Sequence, residues 1–335
     1  MLRVAWYFLV AVVATGVIWK GSVLLEESAE KLAAYYGLPA IVQGAVVAAV
    51  GSSFPELSST VLASLVHDDF ELGVAAIIGS AVFNILVIPA ASALAGTGVL
   101  QSDRDVVFKE AQFYMVSVAT LLVTFSFAVI YYPLPDAGLS GSLTRPLALI
   151  PVALYGLYVF LQYLDTRDMR EKRTVDASPL RLWGVLGASL VVIVAGVEGL
   201  VQAVLAFEEI FGIPSFFWGL TVLAVVTSLP DTFVSVKSAQ KGEGVTSLAN
   251  VLGSNVFDLL VALPAGVLVA GTMPVNFAVV VPMMGALTAA TVLFFAVVRT
   301  DLELTDPEAY GLLVAYAVFV GWLLLETLGV TSLLA

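Results

Sequence analysis

The chain has 335 residues, 60% of them hydrophobic and 12% charged, with a formal net charge of −12 and no cysteine. Its mean hydropathy of +1.02 leaves too little polar surface for a soluble protein of this size. The charge sign argues against nucleic-acid binding, and the missing thiols exclude disulfides, thiolate metal sites and cysteine nucleophiles. A lone histidine, His67, argues against a histidine-rich zinc or iron centre. Beside Asp68 and Asp69 in an expected loop, it reads most simply as a solvated surface residue.

Apolar stretches of about 20 residues recur along nearly the whole length, the span needed to cross a bilayer core. The expected class is all-α, a polytopic membrane protein of about ten transmembrane helices. The first five read as about 4–34, 39–66, 72–98, 106–132 and 146–164. The second five read as about 180–208, 214–239, 246–271, 275–298 and 309–330. The N-terminal run from Val4 to Leu25 lacks a convincing charged start and cleavage site, and its helical pattern continues to Tyr36, so it reads as a retained first helix. Trp6, Trp183, Trp218 and Trp322 are expected interface anchors, and Lys20 and Glu198 are expected to play structural roles within helices.

The polar segment 165–178 divides the chain into a first five-helix repeat, 1–164, and a second, 179–335. When the loops are numbered alternately, one side collects Lys31, Arg104, Lys109, Arg167, Arg170, Lys172, Arg173, Arg181, Lys241 and Arg299. The other side holds Arg3 and Arg145. The positive-inside rule makes the crowded side, with the 165–178 linker, cytoplasmic and places both termini outside a multi-pass cell-membrane protein. Five spans separate equivalent points, and five is odd, so the second half must enter the membrane inverted relative to the first.

A short motif occurs once in each half. Gly51-Ser52-Ser53-Phe54-Pro55-Glu56 is echoed by Val226-Thr227-Ser228-Leu229-Pro230-Asp231. A second block follows each: Gly79-Ser80-Ala81-Val82-Phe83-Asn84 answers to Gly253-Ser254-Asn255-Val256-Phe257-Asp258. The phrase Gly37-Leu38-Pro39 likewise matches Gly212-Ile213-Pro214, so the duplication extends beyond the blocks. Pro55 and Pro230 supply no N–H to the carbonyls of Gly51 and Val226, which then need another partner in lipid. Hydroxyls from Ser52, Ser53, Thr227 and Ser228 and the carboxylates of Glu56 and Asp231 lie within about one turn. Ser80 and Asn84, like Ser254 and Asp258, are four apart and share a helix face. Any one such block is explained by helix packing or interhelical hydrogen bonding. Four in inverted register, each costing free energy in hydrocarbon, point to a duplicated ion site. Oxygen donors alone suit calcium and equally suit sodium.

On these blocks the chain resembles the cation/calcium exchanger superfamily, whose alpha-repeats would fall at about 39–98 and 214–271. The second repeat looks most like that of potassium-dependent sodium/calcium exchangers, which also carry Asp at the positions of Asp231 and Asp258. By position, the resemblance implies ion ligands at Ser52, Ser53, Glu56, Ser80 and Asn84 in the first half. It implies Thr227, Ser228, Asp231, Ser254 and Asp258 in the second. Glu56 and Asp231 would form the central pair shared by calcium and sodium, flanked by Asn84 and Asp258. The first repeat departs from the pattern: Ala76 and Ala81 stand where the family usually has Asn, Ser52 replaces Thr, and Val226 replaces Gly in the second. These changes remove polar support and bear on divalent selectivity. Asp258 hints at potassium without deciding it.

The implied activity is sodium-driven calcium transport by alternating access, with no cofactor and no enzymatic chemistry. The long first and sixth helices would slide as a pair against the site-bearing core. The partners are the transported ions and the lipid bilayer; the sequence leaves the oligomeric state open. Exchange of protons or of another divalent cation on the same scaffold is the nearest rival. A passive channel is another. An intramembrane aspartyl protease using Asp231 and Asp258 would leave Glu56 and Asn84 unexplained, and no Gly-x-Gly-Asp sequence is present.

Overall fold

A computed structural model describes residues 1–37, 49–96, 99–135, 138–166 and 178–331. The first helix, α1 (Leu2–Tyr35), is continuous through its charged end. A short α2 (Ala49–Ser52) leads across a break into α3 (Phe54–Leu65). Next come α4 (Phe70–Ala95), α5 (Phe108–Tyr131) and α6 (Arg145–Thr166). The second half repeats the order: α7 (Pro179–Phe211), the bent pair α8 (Ser215–Thr227) and α9 (Leu229–Gln240), then α10 (Gly244–Ala270), α11 (Phe277–Val298) and α12 (Asp306–Thr327). Eight described helices are long and apolar enough to cross a bilayer, and the bent pair makes a ninth. Most of the expected spans coincide with these helices. The start of the 39–66 span, the Leu38-Pro39 phrase and most of the 165–178 linker lie outside the described residues.

The halves are related by inversion. α1 and α7 occupy equivalent places and run antiparallel: Arg3, at the start of α1, pairs with Glu209, near the end of α7. At the opposite ends the Trp183 indole donates to the Tyr36 hydroxyl at 3.2 Å. Their crossing is close because each helix brings a glycine to it. A Cβ on Gly21 would lie 2.7 Å from Ile193 Cγ1, and one on Gly196 would lie 2.9 Å from Ile18 Cγ1. Gly37 and Gly212, each just beyond one of these long helices, both take φ +68°, a left-handed conformation that glycine adopts without steric cost.

Two antiparallel ribbons cross-link the halves. β1 (Val99–Gln101) pairs with β4 (Glu303–Thr305), and β2 (Ser140–Leu143) with β3 (Met273–Asn276). Both lie at helix ends, where strands of three or four residues satisfy backbone groups without a sheet in lipid. Hydropathy carries no trace of them.

The helices differ in how much of themselves they bury. In α4 and α10, 89% and 83% of the most apolar window is inside the protein, against 22% for α6 and α12. Those central helices carry the second polar blocks, while α1, α5, α6, α7 and α12 present large apolar side chains outward, Phe8, Ile130, Phe160, Val191 and Val318 among them. Trp6 and Trp183 are exposed as expected of anchors. Trp218 packs on Phe207 and Phe211, and Trp322 on Phe319, so those two indoles serve packing instead. Lys20 is exposed on α1.

The reading of His67 as a solvated residue is corrected. Its Nε2 lies 3.0 Å and 3.1 Å from the two carboxylate oxygens of Glu198, which also accepts from Gln202 at 2.7 Å, and the pair is largely buried. The turn between α3 and α4 thereby ties the core to α7. Neighbouring Asp69 is a helix cap as well as an acid: it accepts from Leu72 N–H at 2.9 Å and from Ser215 Oγ at 2.7 Å, joining the starts of α4 and α8.

Candidate functional site: a buried carboxylate triad

Both proline blocks interrupt a helix in the same way. Ser53 sits at φ −88°, ψ 8° and Ser228 at φ −80°, ψ −1°, and each begins a new helix whose first turn holds Pro55 or Pro230. Proline's fixed φ and missing N–H suit that first turn and end the helix before it. The second break bends the chain by 43°. Each new helix carries its carboxylate, Glu56 or Asp231, in its first turn. The third, Asp258, opens a π-helical stretch, Asp258–Ala262, within α10.

These three side chains converge. One carboxylate oxygen from each of Glu56, Asp231 and Asp258 lies within 4.8 Å of the other two, and all three residues are essentially inaccessible to solvent. The polar residues of the repeats surround them with approximate two-fold symmetry. Ser80 Oγ, 2.6 Å from Ser228 Oγ, donates to Glu56 Oε1 at 3.4 Å, as Ser228 does at 3.3 Å. Across the axis Ser254 Oγ donates to Asp231 Oδ1 at 2.9 Å, and Asn84 Nδ2 donates to Asp231 Oδ2 at 3.3 Å. Ser52 also interacts with Asp231, Thr227 lies near Glu56 but donates its hydroxyl to the Leu223 and Ala224 carbonyls at 3.0 Å and 3.2 Å, and Ser53 faces Asp258 without closing a bond of good geometry. All ten expected ligand positions are therefore drawn to one place, every one of them buried.

No positive charge among the described residues meets the cluster. Among the described residues the three ion pairs are Arg3–Glu209, Lys31–Glu27 and His67–Glu198, none of which reaches the triad. Glu56 Oε2, both carboxylate oxygens of Asp258, Asn84 Oδ1 and Ser53 Oγ have no hydrogen-bond partner among the described residues. Buried acceptors without donors are costly, and uncompensated buried carboxylates more so. Oxygen atoms from three acids, an amide and several hydroxyls match the donor set of a hard cation. The residues fit calcium or sodium as cargo.

Further hydrogen bonds hold these side chains in place. Asn255 donates to the Ala81 carbonyl at 3.2 Å and to the Tyr114 hydroxyl at 3.3 Å, and accepts from Asn84 at 3.1 Å. Asn250 donates to Ser235 at 3.1 Å. In the first half Ala76 and Ala81 are buried in apolar surroundings, so the amide support is one-sided. Tyr114 lies outside the duplicated blocks, so the repeat pattern gives no sign of it. Gly79 makes the close apposition possible: a Cβ there would sit 2.4 Å from the Leu220 carbonyl oxygen and 2.8 Å from Ala224 Cβ.

An inverted pair of helical repeats enclosing a buried carboxylate cluster defines a secondary cation transporter scaffold. The family model for sodium/calcium exchanger protein matches residues 6–164 and 181–325, nearly the whole chain, and the chain belongs to that family. It is 25% identical over 271 residues to the inner membrane protein YrbG of Escherichia coli, covering 75% of this chain and 78% of that one. It is 24% identical over 287 residues to the sodium/calcium exchanger MaX1 of Methanosarcina acetivorans, covering 76% and 81%. Among solved structures, an H+/Ca2+ exchanger CAX superposes with a TM-score of 0.72 over 96% of this chain and 82% of its own, at 14% identity, which is a likeness of fold.

Proposed function

We propose that this protein is a secondary antiporter that exchanges sodium for calcium across the cell membrane by alternating access. The observation that carries the reading is the triad of Glu56, Asp231 and Asp258, whose oxygens meet within 4.8 Å with no cationic side chain among the described residues to balance them. In this reading Glu56 and Asp231 bind either calcium or sodium, and Ser52, Ser53, Ser80, Asn84, Thr227, Ser228, Ser254 and Asp258 complete the shells. The two cations need the same oxygens, so occupancy by one excludes the other. Exchange follows if only loaded states reorient. The antiparallel pair α1 and α7, joined to the core largely through apolar contacts, is the element that would move. The excess of basic residues in the loops on the Lys241 side supports a cytoplasmic face there, with both termini outside.

Support for sodium as the driving ion comes from the family and from the name of MaX1. A proton-coupled reading has its own observation, since three clustered carboxylates can equally be neutralised by protons. Calcium uptake into proteoliposomes, with the sodium gradient and the pH gradient imposed separately, tests both. Uptake that follows the sodium gradient at clamped pH supports the proposal. Uptake that follows only the pH gradient replaces sodium with protons.

A further inference from the structure

The inverted repeats agree closely around the triad but differ beside it. With equivalent positions 175 residues apart, as for Gly21 and Gly196, Gly37 and Gly212, or Glu56 and Asp231, three polar or small residues of the first half answer to three valines. Ser22, Glu26 and Gly51 correspond to Val197, Val201 and Val226. The valines belong to one apolar cluster between α7 and the core, with Val197 and Val201 fully buried. In the first half the same place is polar. A Cβ on Gly51 would lie 3.8 Å from the Glu26 Cα, so α1 passes directly beside the first proline break at the residue whose carbonyl Pro55 cannot satisfy.

Glu26 is half-buried and makes no hydrogen bond or ion pair among the described residues. Neighbouring Glu27 is paired with Lys31 at 3.6 Å. Lys237, which could have neutralised Glu26, instead places its ammonium 5.7 Å from the ring centre of Phe233. One turn deeper on the same helix face, Ser22 is 1% exposed, and its hydroxyl has no hydrogen-bond partner among the described residues. The carboxylate of Glu26 lies in the fields of Glu30, Asp231 and Lys237. Glu26 stands beside Gly51, five residues before Glu56, and five residues before Lys31 on α1, towards the membrane face that also bears Lys237 and Lys241.

We propose that Ser22 and Glu26 form an auxiliary cation subsite on the α1 gate helix, which takes a hydrated divalent cation, calcium in the exchange reaction, on its way between that face and the triad. One carboxylate and one hydroxyl supply few of the oxygens calcium needs, so the ion keeps most of its water and the subsite exchanges rapidly. The valines at the equivalent place in the second half leave the opposite approach without such a station. The transporter is therefore asymmetric: it gathers dilute cations from one face and releases them to the other. The inference rests on the exchanger reading for the identity of the cation, whereas the subsite itself can be tested without transport.

Because the chain has no cysteine, Ser22→Cys introduces a single thiol. In proteoliposomes of the full chain, a membrane-impermeant cationic thiol reagent should modify it from the Lys241 face, and calcium should slow the reaction. Adding Glu26→Gln should raise the half-protecting calcium concentration by about three- to tenfold, and Glu26→Asp should largely restore it. In a separate measurement, Glu26→Gln alone should raise the half-saturating calcium concentration for transport from that face by a similar factor and leave the opposite face unchanged. A thiol that cannot be reached from water, or protection that is the same with and without Glu26, would overturn the proposal. So would an equal change at both faces. Absence of calcium flux in the unaltered protein would sink the exchanger reading instead, and the labelling result would still judge the subsite.

Discussion

Replacing Glu56 with Gln should stabilise the cation-free protein and abolish its response to calcium, a reversal that follows from the triad's geometry. With carboxylate oxygens within 4.8 Å of one another, two ionised groups repel by at least about 3.5 kcal/mol at an effective dielectric of about 20. Glu56 takes part in two such pairs, about 7 kcal/mol with all three acids ionised. The amide fits the existing contacts. Its oxygen can accept from Ser80 and Ser228 as Oε1 does, and its nitrogen replaces Oε2, which has no donor, beside Asp258 oxygens that also lack one. Realising even a fifth of that, about 1.4 kcal/mol, would raise the melting midpoint of a chain this long by about 2 °C. In the unaltered protein, calcium at a hundred times its dissociation constant should add about 2.7 kcal/mol, and this increment should vanish in the variant. Thermal unfolding of purified protein, followed by intrinsic tryptophan fluorescence with and without calcium, measures both arms. A variant that melts lower without calcium yet keeps the full calcium shift would show that Glu56 is a structural acid and not part of a cation site.

Other substitutions probe the supports. Gly79→Ala places a methyl against the Leu220 carbonyl and Ala224; overpacking should cost about 1–3 kcal/mol of stability and weaken calcium binding by parting Ser80 from Ser228, both readable in the same melting assay. Asn255→Ala strips partners from Asn84, the Ala81 carbonyl and the Tyr114 hydroxyl; about 1–3 kcal/mol should be lost, with a weaker calcium titration. His67→Ala breaks the contact with Glu198 and should cost about 0.5–1 kcal/mol while the calcium midpoint stays put, since the pair is remote from the triad.

The site was more legible in the sequence than its surroundings. Proline within an apolar run followed by an acid, repeated half a chain away, announces itself because each element is expensive in lipid unless it is used. That cost makes Glu56, Asp231 and Asp258 readable without a structure, and their hydroxyl neighbours are found by spacing. Tyr114, by contrast, is one tyrosine among eleven in the chain; only tertiary contact with Asn255 gives it a role. His67 and Glu198 are 131 positions apart, and no local pattern links a loop histidine to a helix acid. The ribbons between the halves are too short for an alternation to register. Glu26 lies in the charged end of a long helix, where an acid normally marks the membrane surface; its difference from Val201 becomes meaningful only when the two halves are laid on each other.

The central claim is that the transported cation sits among these three carboxylates, and locating the ion tests it most directly. Crystals of the protein soaked in strontium, a heavy stand-in for calcium, would reveal it by anomalous scattering. The account predicts a peak at about 2.3–2.6 Å from oxygens of Glu56 and Asp231, displaced when sodium replaces strontium. Saturating strontium that leaves the triad empty, or a peak there that sodium does not remove, would contradict it.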